Sequence, residues 1–337
     1  MISSKAVAGA LVVLGLTVAN QVAALELRLA HFSPPTHFLN DKILKPFADH
    51  VAAATKGEVT VRIYPSGELG SRPAEQFGRV VSGVADMALG LPGYTAAQFP
   101  RTLLMELPGA VASAEVATQA VWNAIDLIEP EFSRVKILAL YTSEPAILMM
   151  RNKEVRSPAD LKGMKIRVPS ANAGKVVEAW GGVPVFAPAP DVYNAMQTGV
   201  MDGVLISPST IKSYRLDEVV SHYILNVPTT ITVFYVVMNR ASYDKLTAEQ
   251  KAAIDAFAPK KFSEIGNKAY LEVAAEAIKY VEGKPGETII RLSAAEAKAF
   301  ADASKDTLDQ IVKQLDGQGH PASKIVEKLQ ATGAKTN

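Results

Sequence analysis

The feature that most constrains the fold is the alternation of strand and helix patterns that begins at residue 25. Apolar and polar residues alternate in Leu25–His31 and again in Val59–Tyr64, which is the period of a strand that buries one face. Between these segments, Ile43 and Phe47 belong to a run of apolar residues at helical spacing over about 40–55. The order strand, helix, strand predicts an α/β sheet with helices on both faces.

Two successive blocks of sequence repeat this alternation. The first block continues to the strand pattern at residues 135–141, and the second starts at Ser157, a helix N-cap before the strand pattern at 165–168. Gly83–Asp86 (GVAD) and Gly199–Asp202 (GVMD) both occur where a helix pattern gives way to a strand pattern. This repeated motif predicts two similar lobes.

The sequence after the second block returns to sheet and helix. Residues 234–239 (FYVVMN) form an apolar strand pattern, and Thr247 and Gln250 form a capping box that opens helices reaching about residue 282. A second capping box at Ser293 predicts a last long helix that ends near Gly317. Such a return predicts segments that cross between the lobes, and hinged α/β pairs of this kind close around ligands.

The first 24 residues resemble an export signal. Lys5 precedes the uncharged apolar run Ala6–Val18, and Val22–Ala24 supplies small residues for cleavage. The alternative is a membrane anchor, but 13 residues at about 1.5 Å each span only about 20 Å of a hydrocarbon core about 30 Å thick. We therefore predict a signal peptide over residues 1–24 and a mature protein outside the cytoplasm.

Composition and motifs exclude several classes of function. Lysine plus arginine total 35 against 34 for aspartate plus glutamate, without a basic stripe, so nucleic acid is not predicted as a partner. The chain has no cysteine, which excludes disulfides and thiolate metal sites. No GxSxG, GxGxxG or HExxH motif is present. We predict neither an enzyme nor a metal or other cofactor.

Several motifs together resemble one protein family. They are Tyr64–Gly70 (YPSGELG), Ser157–Pro169 (SPADLKGMKIRVP), Asp191–Gln197 (DVYNAMQ) and Gly199–Gly203 (GVMDG). Their order and spacing, over about residues 26–325, are similar to those of the periplasmic solute-binding proteins of tripartite ATP-independent periplasmic (TRAP) transporters, the DctP family.

The resemblance implies an architecture and a set of partners. It implies an α/β, two-lobed periplasmic binding protein fold in which crossing strands and a long helix link the lobes. The expected first lobe is 25–144 plus about 233–272, and the second is 145–232 plus about 273–325. A small organic acid would bind in the cleft of a periplasmic monomer and pass to the small and large subunits of a membrane permease.

Arg167 is the residue that the resemblance assigns to the ligand's carboxylate. It is the arginine of the Lys-x-Arg-Val-Pro motif, at the end of a strand pattern before Pro169. A planar guanidinium offers parallel N–H donors that match a carboxylate, and open α/β sheets bind ligands outside such strand ends. A surface arginine in a salt bridge is the alternative.

Departures from the sialic-acid binders of this family predict the ligand class. Ile147 stands where those proteins carry a second arginine, and Ser207 stands where they carry an asparagine. Leu91 and Tyr94 occupy the positions of a glutamate and an arginine. We expect an aromatic or branched monocarboxylate, and a small 2-oxo or hydroxy acid is the alternative.

Four further residues are candidates with an alternative each. Arg72 is either a second cation of the site or a solvated loop charge, and His31, Phe32 and Phe234 either face the cleft or belong to the core.

Residues 204–206 (VLI) offer no acid beside the Gly199–Gly203 turn, which disfavours a metal-assisted site. A periplasmic hydrolase and a sensory binding module are the remote alternatives to transport.

Overall fold

The computed structural model describes residues 24–332, so the predicted signal peptide, apart from Ala24, lies outside the described residues. The strands of this range are β1 (Leu25–Ala30), β2 (Val59–Tyr64), β3 (Met87–Gly90), β4 (Val135–Thr142), β5 (Ile147–Met150), β6 (Lys165–Val168), β7 (Val183–Phe186), β8 (Gly203–Ile206), β9 (His222–Leu225), β10 (Val233–Asn239) and β11 (Thr288–Arg291). The α-helices are α1 (Lys45–Ala54), α2 (Gln76–Val81), α3 (Ala114–Asn123), α4 (Ile125–Ile128), α5 (Ala171–Ala179), α6 (Val192–Gln197), α7 (Arg240–Asp244), α8 (Ala248–Asp255), α9 (Lys260–Glu282), α10 (Ala294–Ser304), α11 (Thr307–Gly317) and α12 (Ala322–Ala331).

The strands form two sheets, and the chain crosses between them. The first sheet has the order β2-β1-β3-β10-β4, and the second has the order β11-β9-β5-β8-β6-β7. The chain leaves the first sheet between β4 and β5 and returns between β9 and β10. Strand β10 runs antiparallel to both of its neighbours, as β5 does in the second sheet. The predicted two-lobed α/β fold with crossing strands is confirmed.

The two Gly-x-x-Asp motifs form equivalent hydrogen bonds in the two sheets. Asp86 Oδ2 accepts a hydrogen bond of 2.9 Å from the backbone N–H of Arg28, and Asp202 Oδ2 accepts one of 2.8 Å from the N–H of Lys165. In each lobe the carboxylate thereby binds the backbone of the neighbouring strand. The repeated Gly-x-x-Asp motif therefore corresponds to a turn that recurs in both lobes.

Helix α9 connects the cores of the two lobes. Near its start, Phe262 stacks on Phe47 of the first lobe with ring centroids 4.6 Å apart. Near its end, Ala277 and Val281 belong to the apolar core of the second lobe. A helix of 23 residues is about 34 Å long, which is enough to span both. None of the helices between residues 24 and 332 is both long and apolar enough to cross a bilayer.

The prediction of a single last helix from Ser293 to about Gly317 is wrong. The helix breaks after Ser304, and a further helix, α12, follows α11. Before the break, Phe300 O accepts a hydrogen bond of 3.0 Å from the Trp180 indole of the second lobe. Beyond it, α12 contacts the first lobe, where Lys328 pairs with Asp126 at 2.6 Å. The break redirects the chain from one lobe to the other.

Candidate functional site

A buried cavity lies between the two sheets, where β1, β3, β6 and β8 end. It leaves about 40 Å³ of space for the centre of a water-sized sphere. Parallel strands direct the residues after their carboxyl ends to one edge of the sheet, which is where open α/β sheets form ligand crevices. The lining residues are Phe32, Ser33, His37, Leu91, Tyr94, Arg167, Pro169, Ala189, Ile206, Ser207, Thr210, Tyr214, Thr232, Phe234 and Tyr270.

Arg167 is a buried cation at the polar end of this cavity. Its side chain is fixed by two carbonyls, since Nε donates to Ala187 O at 2.7 Å and Nη1 donates to Leu205 O at 3.3 Å. Arg167 is 1% exposed, and burial lowers its pKa. No carboxylate of residues 24–332 forms an ion pair with it. A buried guanidinium without a counter-ion is costly, so this arrangement favours an anion from outside the chain.

Two tyrosines bring the lobes together beside Arg167. The Tyr94 hydroxyl accepts a hydrogen bond of 2.8 Å from the backbone N–H of Ala189. The Tyr214 hydroxyl donates one of 3.0 Å to Ser33 Oγ. Burial raises the pKa of both tyrosines, so both phenols keep their protons near neutral pH. Because Tyr94 accepts through its oxygen, its O–H remains able to donate to a ligand.

Aromatic rings form the apolar wall of the cavity. Phe32 lies against Tyr94 with ring centroids 5.4 Å apart. Phe234 lies 4.7 Å from Tyr270 and stacks on Tyr141 at 5.2 Å, with an angle of 7° between the rings. Aromatic neighbours at such distances attract one another and offer a flat surface to another ring. The cavity therefore combines a cationic end, at Arg167, with an aromatic wall.

The loop after β1 adds a histidine to the lining. His37 lies beside Tyr214 with ring centroids 5.5 Å apart, and its Nδ1 accepts a hydrogen bond of 3.2 Å from the backbone N–H of Leu39. Asn40 holds the loop, because its Nδ2 donates to Pro34 O at 3.1 Å and to His37 O at 3.0 Å. The loop is thus fixed by hydrogen bonds as well as by packing.

The structure brings six of the nine predicted site residues to this cavity. They are Phe32, Leu91, Tyr94, Arg167, Ser207 and Phe234. In this group Ser207 is the residue after β8, and its carbonyl accepts a hydrogen bond of 2.6 Å from Thr210 Oγ1. These residues come from both lobes, so they meet only when the lobes are in contact.

The other three predicted residues lie elsewhere. His31 is buried behind the cavity, where Nε2 bonds to Asn40 Oδ1 at 2.9 Å and Nδ1 accepts from the Ser33 N–H at 3.2 Å. Ile147 packs into the apolar core of the second lobe. The side chain of Arg72 is 80% exposed, pairs with Glu75 at 3.0 Å and lines a separate groove on the first lobe.

Sequence reasoning missed several lining residues. Thr210 and Tyr214 follow β8 closely, and His37 follows β1, so proximity to a strand end is a signal that could have found them. Tyr270 lies on α9 among apolar residues at helical spacing, which also describes a core residue. Nothing in the local sequence separates Tyr270 from the core.

Two buried carboxyl groups join the lobes near the cavity without lining it. Glu106 accepts hydrogen bonds from Ser170 Oγ at 2.8 Å and from the Val233 N–H at 3.3 Å. Glu144 accepts one from the Ser209 N–H at 2.9 Å. Burial raises the pKa of each to about 7. Within residues 24–332 no group of three or more His, Asp or Glu side chains is arranged to hold a metal ion.

Comparisons with known proteins agree on one family. Residues 29–315 match the family described as "Bacterial extracellular solute-binding protein, family 7". A protein of Albidiferax ferrireducens named "Solute-binding protein" is 30% identical to this chain over 278 residues, which cover 79% of each protein. The match therefore extends over most of the chain.

Two solved structures have the same fold and named ligands. One is a marine metagenome TRAP solute binding protein specific for aromatic acid ligands, in complex with metahydroxyphenylacetate. It is 29% identical, covers 93% of this chain and 99% of its own, and has a TM-score of 0.87. The other, from Bordetella bronchiseptica, is a TRAP periplasmic solute binding protein with bound (R)- and (S)-mandelate. It is 25% identical, covers 93% of this chain and 100% of its own, and has a TM-score of 0.84.

Proposed function

Because this chain belongs to bacterial extracellular solute-binding protein family 7 and is a TRAP solute-binding protein, we propose that it captures an aromatic monocarboxylate in the cleft between its lobes. The observation that carries the proposal is Arg167, a buried guanidinium without an ion-pair partner in residues 24–332. A ligand carboxylate would supply the missing charge and accept the remaining N–H groups.

The aromatic wall determines the rest of the ligand. Phe32, Phe234 and Tyr270 gain from contact with a ring, at about 25 cal/mol for each Å² of apolar surface removed from water. A sugar acid would instead bury hydroxyl groups against these rings, and each unpaired hydroxyl costs about 1–3 kcal/mol. Both effects favour an aromatic acid over a polyhydroxylated one. The two neighbouring structures, with metahydroxyphenylacetate and mandelate bound, support this class.

The proposed setting is the periplasm. The protein would be exported by the N-terminal signal, act as a monomer without a cofactor, and deliver its ligand to the small and large permease subunits of a TRAP transporter. Hydrolysis on the same scaffold is disfavoured, because no hydrogen bond links Ser33 Oγ to His37: Ser33 Oγ accepts from Tyr214, and His37 Nδ1 accepts from the Leu39 N–H. Neither group is arranged as a nucleophile with its base.

A thermal-shift screen tests the proposed ligand class. Ligand binding to the folded state raises the melting temperature Tm, so benzoate, phenylacetate and mandelate should raise it. Sialic acid, glucuronate and succinate should not. Native mass spectrometry of gently purified protein should also show a retained mass that matches an aromatic acid. A strong shift with sialic acid or succinate and none with any aromatic acid would overturn the proposal.

A further inference from the structure

We propose that His37 recognises an oxygen atom on the carbon next to the ligand's carboxylate. The site would then favour 2-hydroxy and 2-oxo aryl acids over aryl acids that have only hydrogen at that carbon. This inference rests on the proposed function, in which Arg167 binds the carboxylate of an aromatic acid. Such a ligand has both the aromatic ring of the first class expected from the sequence and the 2-oxo or 2-hydroxy group of the alternative class.

The hydrogen bond from Leu39 determines where the His37 ring carries its proton. Since Nδ1 accepts from the Leu39 N–H, a neutral ring has its hydrogen on Nε2. The ring is neutral near pH 7, because burial lowers the pKa of His37 to about 3. Nε2 makes no hydrogen bond to any residue of the range 24–332, and His37 lines the cavity. The residue therefore offers the ligand an unused N–H donor.

Tyr214 places this donor close to the carboxylate end of the cavity. Its ring meets His37 edge-on, with ring centroids 5.5 Å apart and an angle of 70° between the rings. Tyr214, His37 and Arg167 all line the same cavity. A carboxylate on Arg167 would thus present its neighbouring carbon, rather than the far side of its ring, to the His37 side of the cavity.

The polar end contains more donors than free acceptors. Arg167 has five N–H groups, of which two are used by carbonyls, and Tyr94 keeps a proton to donate. The hydroxyls of Thr210 and Tyr214 already donate, to Ser207 O and Ser33 Oγ. A ligand that matches this end brings acceptors in addition to its carboxylate. A methylene group at the same place would leave the His37 donor desolvated and unpaired.

Hydrogen bonds of Asn40 hold the loop that carries His37. Asn40 donates to three carbonyls of the loop, those of Pro34, Pro35 and His37. Asn40 is itself oriented by the bond between its Oδ1 and His31 Nε2. His31 is therefore a positioning residue for the site, although it does not line the cavity.

Matched ligands test the inference without any change to the protein. Titration calorimetry on the unliganded full chain would use phenylacetate, which lacks the oxygen, and mandelate and phenylglyoxylate, which carry it. We expect the two oxygenated acids to bind about tenfold more tightly than phenylacetate, which corresponds to about 1.4 kcal/mol. In ¹H–¹⁵N spectra of the histidine side chains, the Nε2–H signal of His37 should move with mandelate and stay in place with phenylacetate.

A variant then assigns the difference to His37. In His37→Phe the affinities for mandelate and phenylacetate should differ by no more than about twofold, because the donor is lost and the other contacts remain. His320→Phe, in the turn before α12, is the control and should keep the wild-type ratio. Equal affinities in the wild-type protein, or an unchanged ratio in folded His37→Phe, would overturn the inference. Absence of binding by all aromatic acids would instead overturn the proposed function as well.

Discussion

The hydroxyl of Tyr214, in the second lobe, donates a hydrogen bond of 3.0 Å to Ser33 Oγ, in the first. Both residues line the cavity, so the bond closes the cleft at the place where the ligand would sit. The bond between the Ala189 N–H and the Tyr94 hydroxyl joins the lobes in the same way at 2.8 Å. Closure and ligand contact therefore depend on the same side chains.

Ligand should shift the population of the protein toward this closed form. Binding groups from both lobes reach the ligand together only when the cleft is shut, so occupancy and closure are coupled. In small-angle scattering, the radius of gyration of unliganded protein should decrease on addition of saturating phenylacetate. An unchanged radius in protein shown by mass spectrometry to be unliganded would contradict the hinge.

Tyr214→Phe should weaken binding modestly. The change keeps the ring beside His37 and removes only the bond to Ser33, whose net contribution is about 0.5–1.5 kcal/mol. We expect a twofold to tenfold loss of affinity for phenylacetate in titration calorimetry. Tyr193→Phe is the control, because Tyr193 bonds to exposed Glu218 outside the cavity. Affinity that is unaffected in Tyr214→Phe would show that this bond does not contribute to the bound state.

Leu91→Glu should abolish high affinity for aromatic acids. A glutamate at this lining position would either compete with the ligand for Arg167 or bury a charge beside the ring, and both are unfavourable. Thermal-shift titration with benzoate should show at least a tenfold loss of affinity. Leu91→Met, which keeps the volume and the apolar character, should bind nearly as the wild type does. Wild-type affinity in Leu91→Glu would place residue 91 outside the binding site.

Glu106 should make the protein less stable as the pH rises. Its pKa is about 7 in the folded state and about 4.5 ordinarily, so the folded protein holds a proton between these values that the unfolded chain has released. The stabilisation is complete below pH 4.5 and is lost as the pH rises through 7. The difference corresponds to about 3 kcal/mol in the free energy of unfolding.

Glu106→Gln tests this sign. The amide cannot ionise, so the Tm of Glu106→Gln relative to the wild type should rise between pH 5 and pH 8. Glu264→Gln, on an exposed face of α9, is the control. A relative Tm of Glu106→Gln that is constant or falls with pH would show that Glu106 is not held in its protonated form by burial.

The sequence predicts best what local patterns determine. Asp86 and Asp202 mark equivalent turns, so the two lobes could be predicted from local patterns, whereas Arg167 was predicted through the resemblance of its Lys-x-Arg-Val-Pro motif to a known family. The aromatic wall was found only in part. Tyr270 reaches the cavity because α9 passes between the lobes, and that path is set by tertiary packing rather than by helical periodicity.

Three other differences between the sequence predictions and the structure also have physical causes. Ile147 starts the antiparallel strand β5 and turns into the core of the second lobe, although alignment with an arginine of relatives suggests a lining residue. Arg72 finds a partner three residues away, Glu75, at the surface. The break after Ser304 carries no Gly or Pro signal, and tertiary contacts on its two sides accompany it, to Trp180 of the second lobe and to Asp126 of the first.

Titration calorimetry of Arg167→Ala with phenylacetate tests the central claim most directly. Removing one partner of a buried charge pair costs about 2–5 kcal/mol, so affinity should fall roughly thirtyfold to several thousandfold. Arg167→Lys, which keeps the charge but loses the planar fork, should lie between. Arg72→Ala, at the exposed surface, should bind as the wild type does. Wild-type affinity in a folded Arg167→Ala protein would contradict the account.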